Sequence, residues 1–104
     1  MGKDYVFSTH EVTGSACVVD RNCRLWSCLV ITNGSANAVI TIHDNNSAVG
    51  NDATNKLAEF TVVSSNQYGG RNWIKPVGAE VGIYVTISGT GASCIIEYDY
   101  ALTA

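Results

Sequence analysis

Arg24-Leu25-Trp26-Ser27-Cys28-Leu29-Val30-Ile31-Thr32-Asn33 is followed by Gly34-Ser35 and then by Ala38-Val39-Ile40-Thr41-Ile42-His43-Asp44. These two runs decide the fold class. In the first, Leu25, Leu29 and Ile31 share one alternating set with Ser27, while Trp26, Cys28 and Val30 make up the other. Both sets are largely apolar, which fits a central strand held between layers or covered by another subunit. In the second run Ala38, Ile40 and Ile42 alternate with Val39, Thr41 and His43, the pattern of a half-buried strand with a polar side. Asn33-Gly34 between them predicts a hairpin, because both residues tolerate the positive φ of tight hairpin turns.

Working outward, Tyr5 to Ser8 reads as a short opening strand, and His10 to Asp20 as a second run bent at Gly14. After His43, the stretch from Asp44 to Asn55 holds four Asn, two Asp and one Gly and predicts a solvated loop. A strand resumes at Leu57 with Ala58, Phe60 and Val62 on one face. Ser64 to Asn72, with Gly69-Gly70, predicts a second polar loop. Trp73 and Ile74 then lead into Pro76, which assigns that segment to an edge or a strand entrance because proline lacks the amide hydrogen of a central ladder. Val81, Ile83, Val85 and Ile87 alternate with Gly82, Tyr84 and Thr86, and Gly89 to Gly91 turns the chain. The closing strand places Cys94, Ile96, Tyr98 and Tyr100 opposite Ser93, Ile95, Glu97 and Asp99. Ala101 to Ala104 is expected to be a short tail.

Val, Ile and Thr supply 29 residues against 16 for Leu, Met, Glu, Lys, Gln and Arg, so residues stiff at Cβ outnumber straight-chain helix formers. No window carries a helical stripe. The expectation is an all-β fold: one domain over residues 1–104, a small two-layer antiparallel β-sandwich of about seven or eight strands. A jelly-roll arrangement is one form of it, and a closed barrel is the second choice. The inward set should include Leu25, Leu29, Ile31, Ile40, Ile42, Phe60, Val62, Ile83, Val85, Ile87 and Ile96.

Six Lys and Arg against nine Asp and Glu give a net charge of -3, without the clustered cations that track phosphates, so nucleic acid is not an expected partner. Apolar runs end at four residues, as in Ala16 to Val19 and Cys28 to Ile31. That is too short for a membrane span or a secretory signal, and the chain is expected to start at or near Met1. Cys17, Cys23, Cys28 and Cys94 admit three pairings. Their spacing holds no Cys-x-x-Cys knuckle for zinc, and free buried thiols are favoured over disulfides.

Chemistry is sparse. His43-Asp44 and His10-Glu11 are sequence neighbours, and neighbours on a strand point to opposite faces, so neither carboxylate is placed to orient its imidazole. His43 is expected on the solvent side of its strand. Glu97 and Asp99 read as a solvated sheet face. The oxygen donors from Asp44 to Asp52 do not follow the calcium-loop order, and Gly89-Thr90-Gly91 lacks the lysine of a phosphate loop. No catalytic residue, cofactor or metal is expected. The aromatics are the better candidates for contact: Trp73, Arg71, Tyr68 and Trp26, with Trp73 as the central anchor, because Trp, Tyr and Arg carry much of the energy at protein interfaces.

Ala38-Val39-Ile40-Thr41-Ile42-His43-Asp44, Gly82-Ile83-Tyr84-Val85-Thr86-Ile87-Ser88-Gly89-Thr90-Gly91-Ala92 and Ile95-Ile96-Glu97-Tyr98 together resemble the small all-β virion structural proteins of tailed bacteriophages. These are head decoration (cement) proteins or tail- and fibre-associated proteins. The resemblance implies a non-enzymatic protein on the capsid surface of the virion, present in the host cytoplasm before assembly. Its implied partner is the major capsid protein or another virion protein, and its implied self-association is a homo-oligomer, with a trimer favoured. The alternative is a tail- or fibre-associated module binding a glycan or host receptor through Trp73, Tyr68 and Arg71.

Overall fold

The computed structural model describes residues 4–102. Its strands are β1 (Tyr5–Val12), β2 (Ala16–Val19), β3 (Cys23–Ile31), β4 (Ala38–His43), β5 (Lys56–Val62), β6 (Tyr68–Ala79), β7 (Ile83–Ser88) and β8 (Ser93–Ala101). They form two four-stranded antiparallel sheets, ordered β1-β8-β3-β6 and β2-β7-β4-β5. Only β4 and β5 are both consecutive and paired; every other connection crosses from one sheet to the other, which is the winding of a jelly roll. The sandwich expected from the sequence is therefore the fold. The tail expected from Ala101 onward begins inside β8, and its last two residues lie outside the described range.

Asn33-Gly34 does not make the predicted hairpin, since β3 and β4 lie in different sheets. Gly34 does take a positive φ of 87°, but among the described residues no non-glycine does. Instead, the Asn33 side chain accepts hydrogen bonds from the Ser35 amide and hydroxyl, closing an Asx turn that steers the chain across the sandwich.

A bulge decides which side of β3 is buried. Its registers with both β6 and β8 break between Leu25 and Ser27: against β8 Trp26 is the extra residue, while against β6 the four residues from Trp73 to Pro76 stand opposite it. Leu25 faces the core, and beyond the bulge the inward set becomes Cys28 and Val30. The expectation that Leu29 and Ile31 point inward is overturned: Leu29 is 41% exposed and Ile31 is half-buried, because one inserted residue reverses the alternation. Of the other expected core residues, Leu25, Ile40, Ile42, Val62, Ile83, Val85 and Ile96 are buried, while Phe60 and Ile87 are half-buried against the same cluster.

The Ser64 to Asn72 loop is also corrected, since β6 begins at Tyr68 and its residues from Tyr68 to Asn72 pair with β3. Gly69 and Gly70 read as loop punctuation but serve close strand approach. A Cβ on Gly70 would collide with the Cys28 carbonyl, and its φ is 121°. Pro76 lies on an edge strand as expected, within Trp73-Ile74-Lys75-Pro76, four residues that swing out opposite the single Trp26.

Candidate interaction surface

Register fixes what lies on the outward side of β1-β8-β3-β6. From β1 come Tyr5, Phe7 and Thr9, paired with Ala101, Asp99 and Glu97 of β8. From β3 come Arg24, Ser27, Leu29 and Ile31, paired with Asp99, Glu97, Ile95 and Ser93. Tyr68 of β6 is opposite Ile31. Four of the chain's exposed large apolar side chains, Tyr5, Phe7, Leu29 and Tyr68, therefore share one face.

The buried carboxylate of that face, Asp99, is paired within the chain, while Glu97 and the exposed Glu11, which lies opposite Ile95, have no ion-pair partner among the described residues. Arg24 donates from Nε to Asp99 Oδ1 at 2.8 Å and from Nη2 to Oδ2 at 2.6 Å, a bidentate pair. Its guanidinium lies 3.9 Å over the Tyr5 ring and 5.6 Å from the Trp26 ring. Ser27 Oγ donates to Glu97 Oε1 at 2.5 Å. Asp99 is 4% exposed, which overturns its expected place on a solvated face. The Arg24 hydrogen bonds hold its carboxyl below the usual carboxylate range, against the upward push of burial. The neighbouring Trp26 indole lowers it further, although its Nε1 makes no hydrogen bond and stays buried without a partner.

The four contact residues expected from sequence do not form one site. Tyr68 and Trp26 belong with the outward face. Trp73 turns to the edge between the sheets, its ring centroid 6.1 Å from that of Phe60 and half-buried against the core, with the Arg71 guanidinium 5.9 Å from it. At the tip of the same swing-out, Ile74 is 98% exposed. An open depression of about 270 Å³ lies beside β6, lined by Cys28, Leu29, Gly69, Gly70, Arg71 and Asn72. Gly69 and Gly70 contribute bare backbone to its wall. Sequence reading missed Phe7, Leu29 and the Arg24–Asp99 pair; the available signal was a basic and an acidic residue on two strands that each read as half apolar.

His43, expected on the solvent side, is 8% exposed, and its Nδ1 is buried without a hydrogen bond. The register breaks between Ile42 and His43, so the imidazole sits at the strand end where the long loop departs. That loop is knit rather than merely solvated. Asp44 accepts hydrogen bonds from the backbone amides of Glu80, Val81 and Gly82, and Asp52 caps Thr54. Among the described residues no three His, Cys, Asp or Glu side chains converge as a metal site would need. All four cysteines are free thiols, with Cys17 exposed and the others buried. Burial pushes the Cys23 thiol up to about 12, and contact with Cys94 together with burial pushes Cys28 up. No helix among the described residues is long and apolar enough to cross a membrane.

Compared with known protein families, curated proteins and solved structures, the chain matches none.

Proposed function

We propose that this is a non-enzymatic structural protein of a tailed-phage virion. In this reading it is a capsid decoration protein that holds to the major capsid protein, or another virion protein, through the outward face of β1-β8-β3-β6. The observation that carries the reading is that this face exposes Tyr5, Phe7, Leu29 and Tyr68 while its buried charge is neutralised within the chain. A partner docking over Tyr5, Phe7, Leu29 and Tyr68 removes apolar area from water, at roughly 25 cal/mol per Å², and meets the buried Asp99 already paired with Arg24. A standard interface needs about 800 Å² per partner, roughly the outer face of a small sheet. Eight-stranded jelly rolls do build capsid domains, though they also build lectins, so the fold supports the class by analogy alone.

The binding experiment adds protein to undecorated heads, pellets the particles and quantifies what co-sediments. Wild type should bind, and should resist moderate salt because apolar burial is not screened. Leu29→Asp should abolish binding while remaining folded, and Thr86→Asp on the opposite sheet should bind as wild type does. Equal occupancy by Leu29→Asp, or no binding by wild type, overturns the reading.

The second reading, a tail or fibre module for a glycan or host receptor, draws on the Tyr5–Arg24–Trp26 stack, an aromatic and guanidinium platform beside a carboxylate. Binding to a glycan array that is lost in Trp26→Ala would replace the first reading with this one.

A further inference from the structure

The sandwich has four edge strands, and three of them carry features that block further pairing. β6 has Pro76, a four-residue swing-out and the cations Arg71 and Lys75. β5 carries Lys56 and Glu59 and a register break at its start. β2 is four residues long with a break between Cys17 and Val19. β1 has none of these devices: it runs for eight residues in unbroken register, without proline or glycine, and Glu11 is its one acidic or basic side chain besides His10. A long, regular, nearly uncharged edge is a template for another strand.

Which of its backbone groups are free follows from one bond. The Leu102 amide donates to the Asp4 carbonyl at 2.8 Å. Bonding alternates along an antiparallel pair, so residues in step with Asp4, namely Val6, Ser8, His10 and Val12, spend their N–H and C=O on β8. Tyr5, Phe7, Thr9 and Glu11 turn theirs outward.

We propose that a second copy of this chain covers this edge. Its β1 pairs antiparallel with the first across a two-fold axis at Ser8, joining the two four-stranded sheets into one of eight. The free residues are all odd-numbered, so only registers that pair odd with odd close hydrogen bonds. The axis at Ser8 sets Tyr5 opposite the partner's Glu11 and Phe7 opposite the partner's Thr9. All four free residues are then used, with about eight backbone hydrogen bonds. No like charges meet, since Asp4 falls opposite the partner's Val12 and His10 opposite the partner's Val6. An axis at Thr9 leaves Tyr5 beyond the strand, and an axis at Phe7 leaves Glu11 unpaired. The contact is isologous and closes at two copies. It does not depend on what the apolar face binds, although it makes that face continuous across both copies.

Three variants test it by sedimentation and cross-linking. Thr9→Pro removes an outward amide at an edge, where proline is tolerated, and should weaken self-association about tenfold or more, a loss of about 1.4 kcal/mol. Ser8→Cys in a Cys17→Ser background should give a covalent two-chain species with diamide, because residues facing across the axis lie within disulfide reach, whereas Thr9→Cys should not. The wild type should sediment as two 11.0 kDa chains. A single-chain mass at high micromolar concentration overturns the proposal, and so does a three-chain mass, the state the phage-protein resemblance implies. A two-chain mass in which Ser8→Cys fails to cross-link overturns it as well.

Discussion

The two outward faces of this sandwich differ more than their similar sheets suggest. On β2-β7-β4-β5, the outward positions are Val39 and Thr41, Glu59 and Thr61, and Tyr84, Thr86 and Ser88, a mostly polar set with Lys56 paired to Glu59 at 3.4 Å. On β1-β8-β3-β6 the equivalent positions carry Tyr5, Phe7, Leu29, Ile31, Ile95 and Tyr68 around the Arg24–Asp99 pair. A monomer finished in water needs only the first kind of face. The second kind, apolar and with its buried carboxylate matched by Arg24, is the face that the proposed function sets against another surface.

Two leucines on one strand give the sharpest break. Leu25→Ala leaves a hole in a fully buried site, 0% exposed, and should cost about 2–5 kcal/mol by chemical denaturation. Leu29→Ala, four residues on, should cost under about 1 kcal/mol and act on binding instead. Equal losses at the two positions would mean the bulge at Trp26 does not exist.

The ion pair is next in size. Asp99→Asn should cost about 1–2 kcal/mol near neutral pH, reduced from a fully buried pair because the Arg24 side chain is 37% exposed. The folded-state value of Asp99 is depressed, so its contribution is present above the unfolded value of about 3.9 and is lost as pH falls through the folded value. The gap in melting temperature between wild type and Asp99→Asn should therefore shrink as the pH is lowered through and below about 4. A gap that widens on acidification contradicts the pairing.

Smaller effects belong to the polar face and the thiols. Thr86→Lys should stay within about 0.5 kcal/mol of wild type. In native protein a thiol reagent at mildly alkaline pH should label Cys17 ahead of the three buried cysteines, and all four should react in denaturant. Rapid labelling of Cys23 would show that the sheets open there.

What was legible in the sequence follows from what alternation can and cannot carry. The number of strands and the burial of Ile40, Ile42, Ile83, Val85 and Ile96 come from period-two patterning, which local residues set, whereas the extents of β1, which runs past Ser8 to Val12, and of β6, which begins at Tyr68 inside the expected loop, do not. The phase beyond Trp26 does not, because a bulge is defined by two neighbouring strands and by nothing in the sequence of β3. The same holds for Asn33-Gly34, where the turn residues were right and the destination sheet was not. Trp73 was singled out by residue type, but the four-residue swing-out opposite Trp26 turned its ring toward Phe60. Asp99 read as solvated because its partner lies 75 residues away in the chain.

The most direct measurement is an electron-microscopy map of heads saturated with the protein, at a resolution that places individual strands. The face made by β1, β8, β3 and β6 should meet the shell, with Phe7, Leu29 and Tyr68 at the contact and Thr41 and Thr86 turned to solvent. Density docked through β2, β7, β4 and β5, or heads bare of the protein, would contradict it.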